Sequence, residues 1–201
     1  REVKFLLDKK ENQIELEKSI ESIMLNSNSY GFYRTNTKDF DSIYDVSQLT
    51  SEEKYSILDD YWGLLISGSM TVEKFLDFTE KFYDEFDPDI LSLLYSCLSS
   101  LSKNLPNKER LIKVVQKIFK NSLYELDKIS KRSVREAQSL AVCFRAMAII
   151  TEDKKIRDKS KKILEDYLNG KTNYEPDIVS SIISINAYFG SSELFKTYLE
   201  N

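Results

Sequence analysis

The chain has 201 residues with 41% hydrophobic content, enough to bury the core of one sizeable domain or of a small domain beside a larger one, which argues against disorder. It is 31% charged with a net charge of −4, and no apolar run approaches the roughly 18–20 residues that a bilayer span needs. No membrane partner is expected.

The opening residues read as strands. "VKFLL" and "QIELEKSI" gather β-forming residues around the polar turn "DKKEN", and "SIMLN" and "GFYRTN" continue the pattern up to Asn36. Three or four short strands with nothing to cover them do not make a stable sheet, so residues 1–36 are expected to be the remnant of a larger sheet or sandwich. The period then changes. From Thr37 onward the apolar spacing is helical, and capping residues mark the ends.

"LTSEEKYSILDDYWGLLISG" offers Thr50 as N-cap with Glu53 three residues on, sets Leu58, Trp62 and Leu65 on one face, and stops at Gly68. A second helix restarts at Thr71 with the stripe Val72, Phe75, Leu76, Phe82 and Phe86, so close behind the first that the two must run antiparallel. Asp87 then caps a third helix with Pro88 at its first position. Further helices are expected from near Pro106, over "SVREAQSLAVCFRAMAIIT", over "DKKIRDKSKKILEDYLNG" and over "EPDIVSSIISINAYFG", with a last one beginning at "SSELFKTYLEN". Helix pairs recur about every 40 residues, close to the period of helical solenoids. The expected fold is mainly α: an αα-superhelix, or helical-repeat solenoid, over residues 37–201, preceded by a short β remnant over residues 1–36.

The chemistry available to such a chain is narrow. It contains no histidine, which removes the commonest general base, the usual partner of an activated nucleophile and a common zinc ligand. Its five glycines form no phosphate-cradling loop, and no G-x-S-x-G elbow occurs. Asp84, Glu85, Asp87 and Asp89 crowd "DEFDPD", but a calcium loop would need a glycine turn and a distal glutamate, so helix capping explains them better. Cys97 and Cys143 sit among apolar neighbours and read as buried free thiols, which suits a cytoplasmic protein. No basic-then-apolar leader precedes the first strand, so the start reads as internal to a longer polypeptide.

Charge is segregated along the chain: residues 37–91 hold 14 acidic and 4 basic side chains, and residues 103–171 hold 18 basic and 9 acidic. The basic half lacks the glycine and aromatic interleaving of single-strand binders and any docking motif, so it reads as solvated helix faces, and no nucleic-acid partner is expected. Arg145, inside the apolar helix "AVCFRAMAII", either snorkels to the helix edge or anchors a carboxylate. It is the single candidate substrate-binding residue; no catalytic or metal-ligating residue is expected.

Three ordered segments carry a family resemblance. "LNSNSYGFYRTN", through Asn26 and Gly31-Phe32-Tyr33-Arg34, resembles the "N…GYYRV" segment that closes the small β-sandwich of the gluzincin, aminopeptidase N-like zinc exopeptidases. The next stretch is similar to that family's following run through Leu49, Leu58, Asp60, Leu64, Gly68, Phe75 and Glu85, although Lys54 stands near where an arginine is usual. "YLNGKTNYEPDIVSSIISINAYFGSSELF" resembles a later segment through Leu168, Gly170, Pro176, Asp177, Val179, Ala187, Gly190 and Phe195.

The resemblance implies the end of a β-sandwich domain at 1–36 and a truncated helical domain at 37–201. The zinc ligands, the amine-binding strand and the transition-state tyrosine belong to a zinc domain upstream, and no position here inherits them. It further implies a noncatalytic part that caps the active-site cleft of a zinc aminopeptidase, with peptide substrates and the catalytic domain of the same polypeptide as partners. Archaeal members similar to the tricorn-interacting factors and yeast-like cytosolic members match it in style. Without the resemblance, paired helices and segregated charge point to a helical-repeat scaffold that binds other proteins.

Overall fold

The computed structural model describes residues 24–31, 33–36, 45–171 and 174–191, together with the isolated positions Lys4, Lys10, Glu11, Gln13 and Lys196. Seven α-helices occupy the described residues: α1 (Ser51–Ile66), α2 (Val72–Thr79), α3 (Pro88–Asn104), α4 (Glu109–Asp127), α5 (Val134–Arg145), α6 (Lys154–Leu168) and α7 (Pro176–Phe189). The expected strands at "VKFLL" and "QIELEKSI" and most of the helix at "SSELFKTYLEN" lie outside the described residues.

The helix ends follow the local chemistry. Thr50 and Glu53 close a capping box on α1, each side chain accepting the other's backbone N–H, and Ser133 with Glu136 repeats the device on α5. Thr71, Asp87 and Asp153 cap α2, α3 and α6 with single side-chain acceptors. Gly68, with φ of 75°, takes the left-handed turn that ends α1, and Gly170, at 66°, does the same after α6. Beyond Arg145, α5 continues as a π-helical turn over Ala146–Ile150.

Two expectations shift. Phe86 was expected in the apolar stripe, but α2 and the 3-10 turn after it end at Phe82, and Phe86 is left exposed while Phe78 joins Phe75, Leu76 and Phe82 in the core. The strand expected at "GFYRTN" does not form at residues 31 and 33–36, and the polar run before it makes a 3-10 turn at Ser27–Ser29 with left-handed backbone at Asn26, Asn28 and Ser29; no strand occurs among the described residues. The cause is local: the Asn26 side chain accepts from the Gly31 amide at 2.6 Å and donates to the Gly31 carbonyl at 2.9 Å, tying the loop into a closed turn.

The odd-numbered helices form a row, with α1 against α3, α3 against α5 and α5 against α7; α2, α4 and α6 lie behind them. One core runs along the seam. At its start Tyr61 of α1 stacks on Phe78 of α2 with centroids 3.6 Å apart, and Phe82 meets Phe78 edge-on. Further along, Leu94, Leu98, Leu111, Ile118, Phe119 and Phe144 are fully buried.

Serines let the backbones approach closely. Ser122 donates to the Glu85 carbonyl, Ser139 to that of Phe86, and Ser181 of α7 to that of Ala141 of α5 at 2.6 Å. Both cysteines are buried free thiols, and burial pushes the Cys97 thiol up to about 12.

The segregated charge has a structural use. The acidic α2 turns its Asp77, and the residue that follows it, Glu80, toward the basic α4, where Arg110 pairs with both and Lys117 pairs with Glu80 at 2.6 Å. Lys159 of α6 in turn pairs with Asp127 at the end of α4. Opposite charge in sequence thus matches successive helices of the rear layer to one another.

Candidate functional site

Two hollows open along the odd-numbered row. The first, a cleft of about 1240 Å³, lies between residues 26–34 and α1, and continues to the first turns of α3 and α5. Its wall is acidic: Glu52, Asp59, Asp60, Asp87 and Asp89 line it, with Arg34 and Arg135.

Nearly all of these charges are partnered. Arg34 meets the Asp59 carboxylate at 2.9 Å and donates to the Asp59 carbonyl at 2.7 Å. This brings the guanidinium so close to α1 that a Cβ at Gly63 would lie 1.9 Å from it. Asp60 accepts from the Thr35 amide at 3.0 Å and from the Thr35 hydroxyl at 2.5 Å. Arg135 bridges Asp87 and Asp89 at 2.9 and 3.1 Å. The buried Glu53 behind the cleft accepts from the Ser27 hydroxyl and the Asn28 amide while closing the α1 capping box.

These carboxylates diverge in proton affinity. Burial raises the Asp60 carboxyl above its ordinary value and outweighs the Thr35 donors and Arg34. Burial also works to raise Glu53, yet the Asn28 and Thr50 amides and the Ser27 hydroxyl together hold it below its ordinary value. Both groups therefore serve to fasten residues 26–36 onto α1.

The second hollow, of about 300 Å³, lies between α3, α5 and α7. Ser92 of α3, Gln138 and Arg145 of α5, and Asp177, Ser180 and Ser181 of α7 face it. Arg145 projects from the apolar end of α5 with its guanidinium carbon 5.4 Å from the Tyr95 ring centroid, and its buried Nε has no acceptor. The sequence left two readings of Arg145, and the structure gives it an edge position over a polar cavity with no described carboxylate bound to it. Asp177, in the first turn of α7, likewise makes no ion pair or hydrogen bond with another described residue.

Gln138, Ser92 and Ser180 were not singled out by sequence. For Gln138 a signal was present, because positions 135, 138 and 145 of α5 fall on one helical face; Ser92 and Ser180, lone serines on α3 and α7, left none.

The described residues do not fit zinc. There is no histidine, the two thiols are buried on separate helices, and no group of three or more metal-ligating side chains converges among the described residues. The carboxylates of "DEFDPD" are engaged otherwise: Glu85 accepts from the Phe86 and Asp87 amides at 2.9 Å each and pairs with Lys54 at 2.9 Å, while Asp87 caps α3. No described helix is long and apolar enough to cross a membrane.

The comparisons with known proteins agree with this architecture. The model of the ERAP1-like C-terminal domain family matches residues 22–201. A probable aminopeptidase 1 of Sulfurisphaera tokodaii is 24% identical over 163 residues, which cover 74% of this chain and 18% of that protein. A leucyl aminopeptidase of Saccharolobus solfataricus is 26% identical over 137 residues, 66% of this chain and 18% of that one. The tricorn protease-interacting factor F2 of Thermoplasma volcanium is 25% identical over 122 residues, 55% of this chain and 16% of that one. The chain thus spans less than a fifth of the length of these curated relatives. It belongs to the ERAP1-like C-terminal domain family, the C-terminal part of aminopeptidase N-like enzymes.

Proposed function

We propose that this chain is the noncatalytic C-terminal part of a zinc-dependent aminopeptidase that removes N-terminal amino acids from peptides in the cytoplasm. The zinc and the bond-breaking groups sit in a catalytic domain of the same polypeptide. Residues 1–36 are the end of a β-sandwich domain, with 24–36 the loop that leads from it onto α1, and residues 37–201 form a superhelical domain that caps the active-site cleft and limits substrate access. Closure of such a wall excludes water from the reaction and selects substrates by length.

The family match over residues 22–201 carries this reading, and a sequence without histidine supports the noncatalytic role. In the same reading Arg145 contacts the substrate, taking the peptide's C-terminal carboxylate. Its support is the place of Arg145 in the lining of a polar cavity, with no carboxylate of a described residue bound to it.

The coding sequence upstream of Arg1 tests the proposal. An H-E-x-x-H run a few hundred residues earlier is expected; a start codon beside Arg1 would replace the proposal with the helical-repeat scaffold. A second test uses the isolated chain, which is expected to leave amino-acid amides intact with or without added zinc. Chelator-sensitive turnover by it would overturn the noncatalytic role.

A further inference from the structure

Arg145 and Asp177 carry opposite charges and line the same cavity, and neither makes an ion pair or hydrogen bond with another described residue; Arg145 rests only against the Tyr95 ring. Their spacing follows from the helices. The hydroxyl of Ser181 donates to the Ala141 carbonyl at 2.6 Å, which sets those two positions level on α7 and α5. With only the antiparallel α6 between them in sequence, α5 and α7 run the same way. Arg145 lies four residues beyond Ala141, and Asp177 four residues before Ser181. At about 1.5 Å of rise per residue, their backbones are roughly 12 Å apart along the helix axes.

Helical side chains lean toward the N-terminus, so the arginine stem folds back along α5 over Tyr95 and shortens the gap. Asp177 leans the same way and preserves part of it. A ligand that engages both groups therefore carries its anion and its cation on separate arms. The adjacent charges of a bare α-amino acid backbone do not span them, whereas a terminal carboxylate and an ammonium on a four-carbon stem do. Gln138, Ser92 and Ser180 add polar groups along the wall. Asp89 also lines it, but Arg135 already occupies that carboxylate at 3.1 Å.

We propose that this cavity selects peptides whose last residue is basic, with Arg145 taking the terminal carboxylate and Asp177 the cationic side chain. The inference rests on the helical row being the peptide-facing wall of an aminopeptidase. An apolar last residue would cover Asp177 without pairing it, and an acidic one would meet like charge, so the pocket discriminates against both.

Chemical-shift titration of the isotope-labelled 201-residue chain tests this with peptides that differ only at the last residue. A lysine-ended peptide is expected to bind about tenfold more tightly than its norleucine analogue, and amidation of its carboxylate is expected to cost about as much. D177N should level lysine with norleucine and keep the preference for a free carboxylate; R145Q should remove that preference. Equal binding of lysine-ended and norleucine-ended peptides to the unsubstituted chain would overturn the basic selectivity while leaving the peptide-facing wall intact. Free lysine binding as well as the peptide would also overturn it, by assigning the cavity to an amino acid. Absence of any response to every peptide would overturn both.

Discussion

The two hollows of the helical row are lined by similar residues and differ in what their charges do. In the first cleft Arg34, Asp59, Asp60, Asp87, Asp89 and Arg135 all hold partners within the chain, and the contacts fasten one segment to another. In the second, Arg145 and Asp177 make no ion pair or hydrogen bond with another described residue, Arg145 resting only on the Tyr95 ring, although Ser181 and Ala141 beneath them pack α5 on α7 tightly. Volume alone would choose the first cleft as the site. Charge satisfaction chooses the second, because an unpaired ion at a partly buried position gains more from a ligand than one already paired.

The contrast can be broken by substitution. The largest effect is expected from Phe144→Ala, which empties core space on α5 close to Arg145: about 3–5 kcal/mol of stability lost in urea unfolding, with the peptide response lost alongside it. Glu53→Ala should cost about 1–3 kcal/mol, since it strands the Thr50 and Asn28 amides; faster amide exchange at Asn28 would locate the damage at the first cleft.

Asp60 and Glu53 should respond to pH in opposite senses. The raised Asp60 contributes stability that is complete below its unfolded pKa and is lost as pH rises through its folded value. The lowered Glu53 contributes stability that is complete above its unfolded pKa and is lost as pH falls through its folded value. Asp60→Asn, which keeps an acceptor for Thr35, is therefore expected to unfold at higher urea than the parent at pH 7, with the gain shrinking toward pH 4. A loss at pH 7 would show that the charge itself is needed. The smallest effect belongs to Arg145→Gln, with stability expected to change by less than about 0.5 kcal/mol. A loss of several kcal/mol would make Arg145 a structural residue and erase the distinction between the hollows.

Helix boundaries were legible in the sequence wherever a side chain closes the backbone, as at Thr50, Asp87, Ser133 and Gly68, because those signals act over three or four residues. Phe86 was misplaced because apolar spacing continues past the residue where α2 gives way to a 3-10 turn, and spacing does not report where hydrogen bonding changes. Residues 31–36 read as strand from their aromatics and threonine, while the closing bonds between Asn26 and Gly31 are a side-chain choice that composition does not weigh.

Charge segregation was plain in sequence, but its use in pairing α2 with α4 required knowing which helices are neighbours. Arg145 stood out because a cation in an apolar helix is costly. Asp177 entered only through the family pattern: an acidic residue in a first helical turn is ordinary capping chemistry until its neighbours are known.

The most direct measurement is a map of which backbone amides of the labelled chain move when a lysine-ended peptide is added. Shifts at Ser92, Gln138, Arg145, Asp177 and Ser180, with Glu52, Tyr55, Asp59 and Asp87 unmoved, are the expected result. Shifts confined to the first cleft, with the α5–α7 amides still, would contradict the assignment of the second hollow as the receptive one.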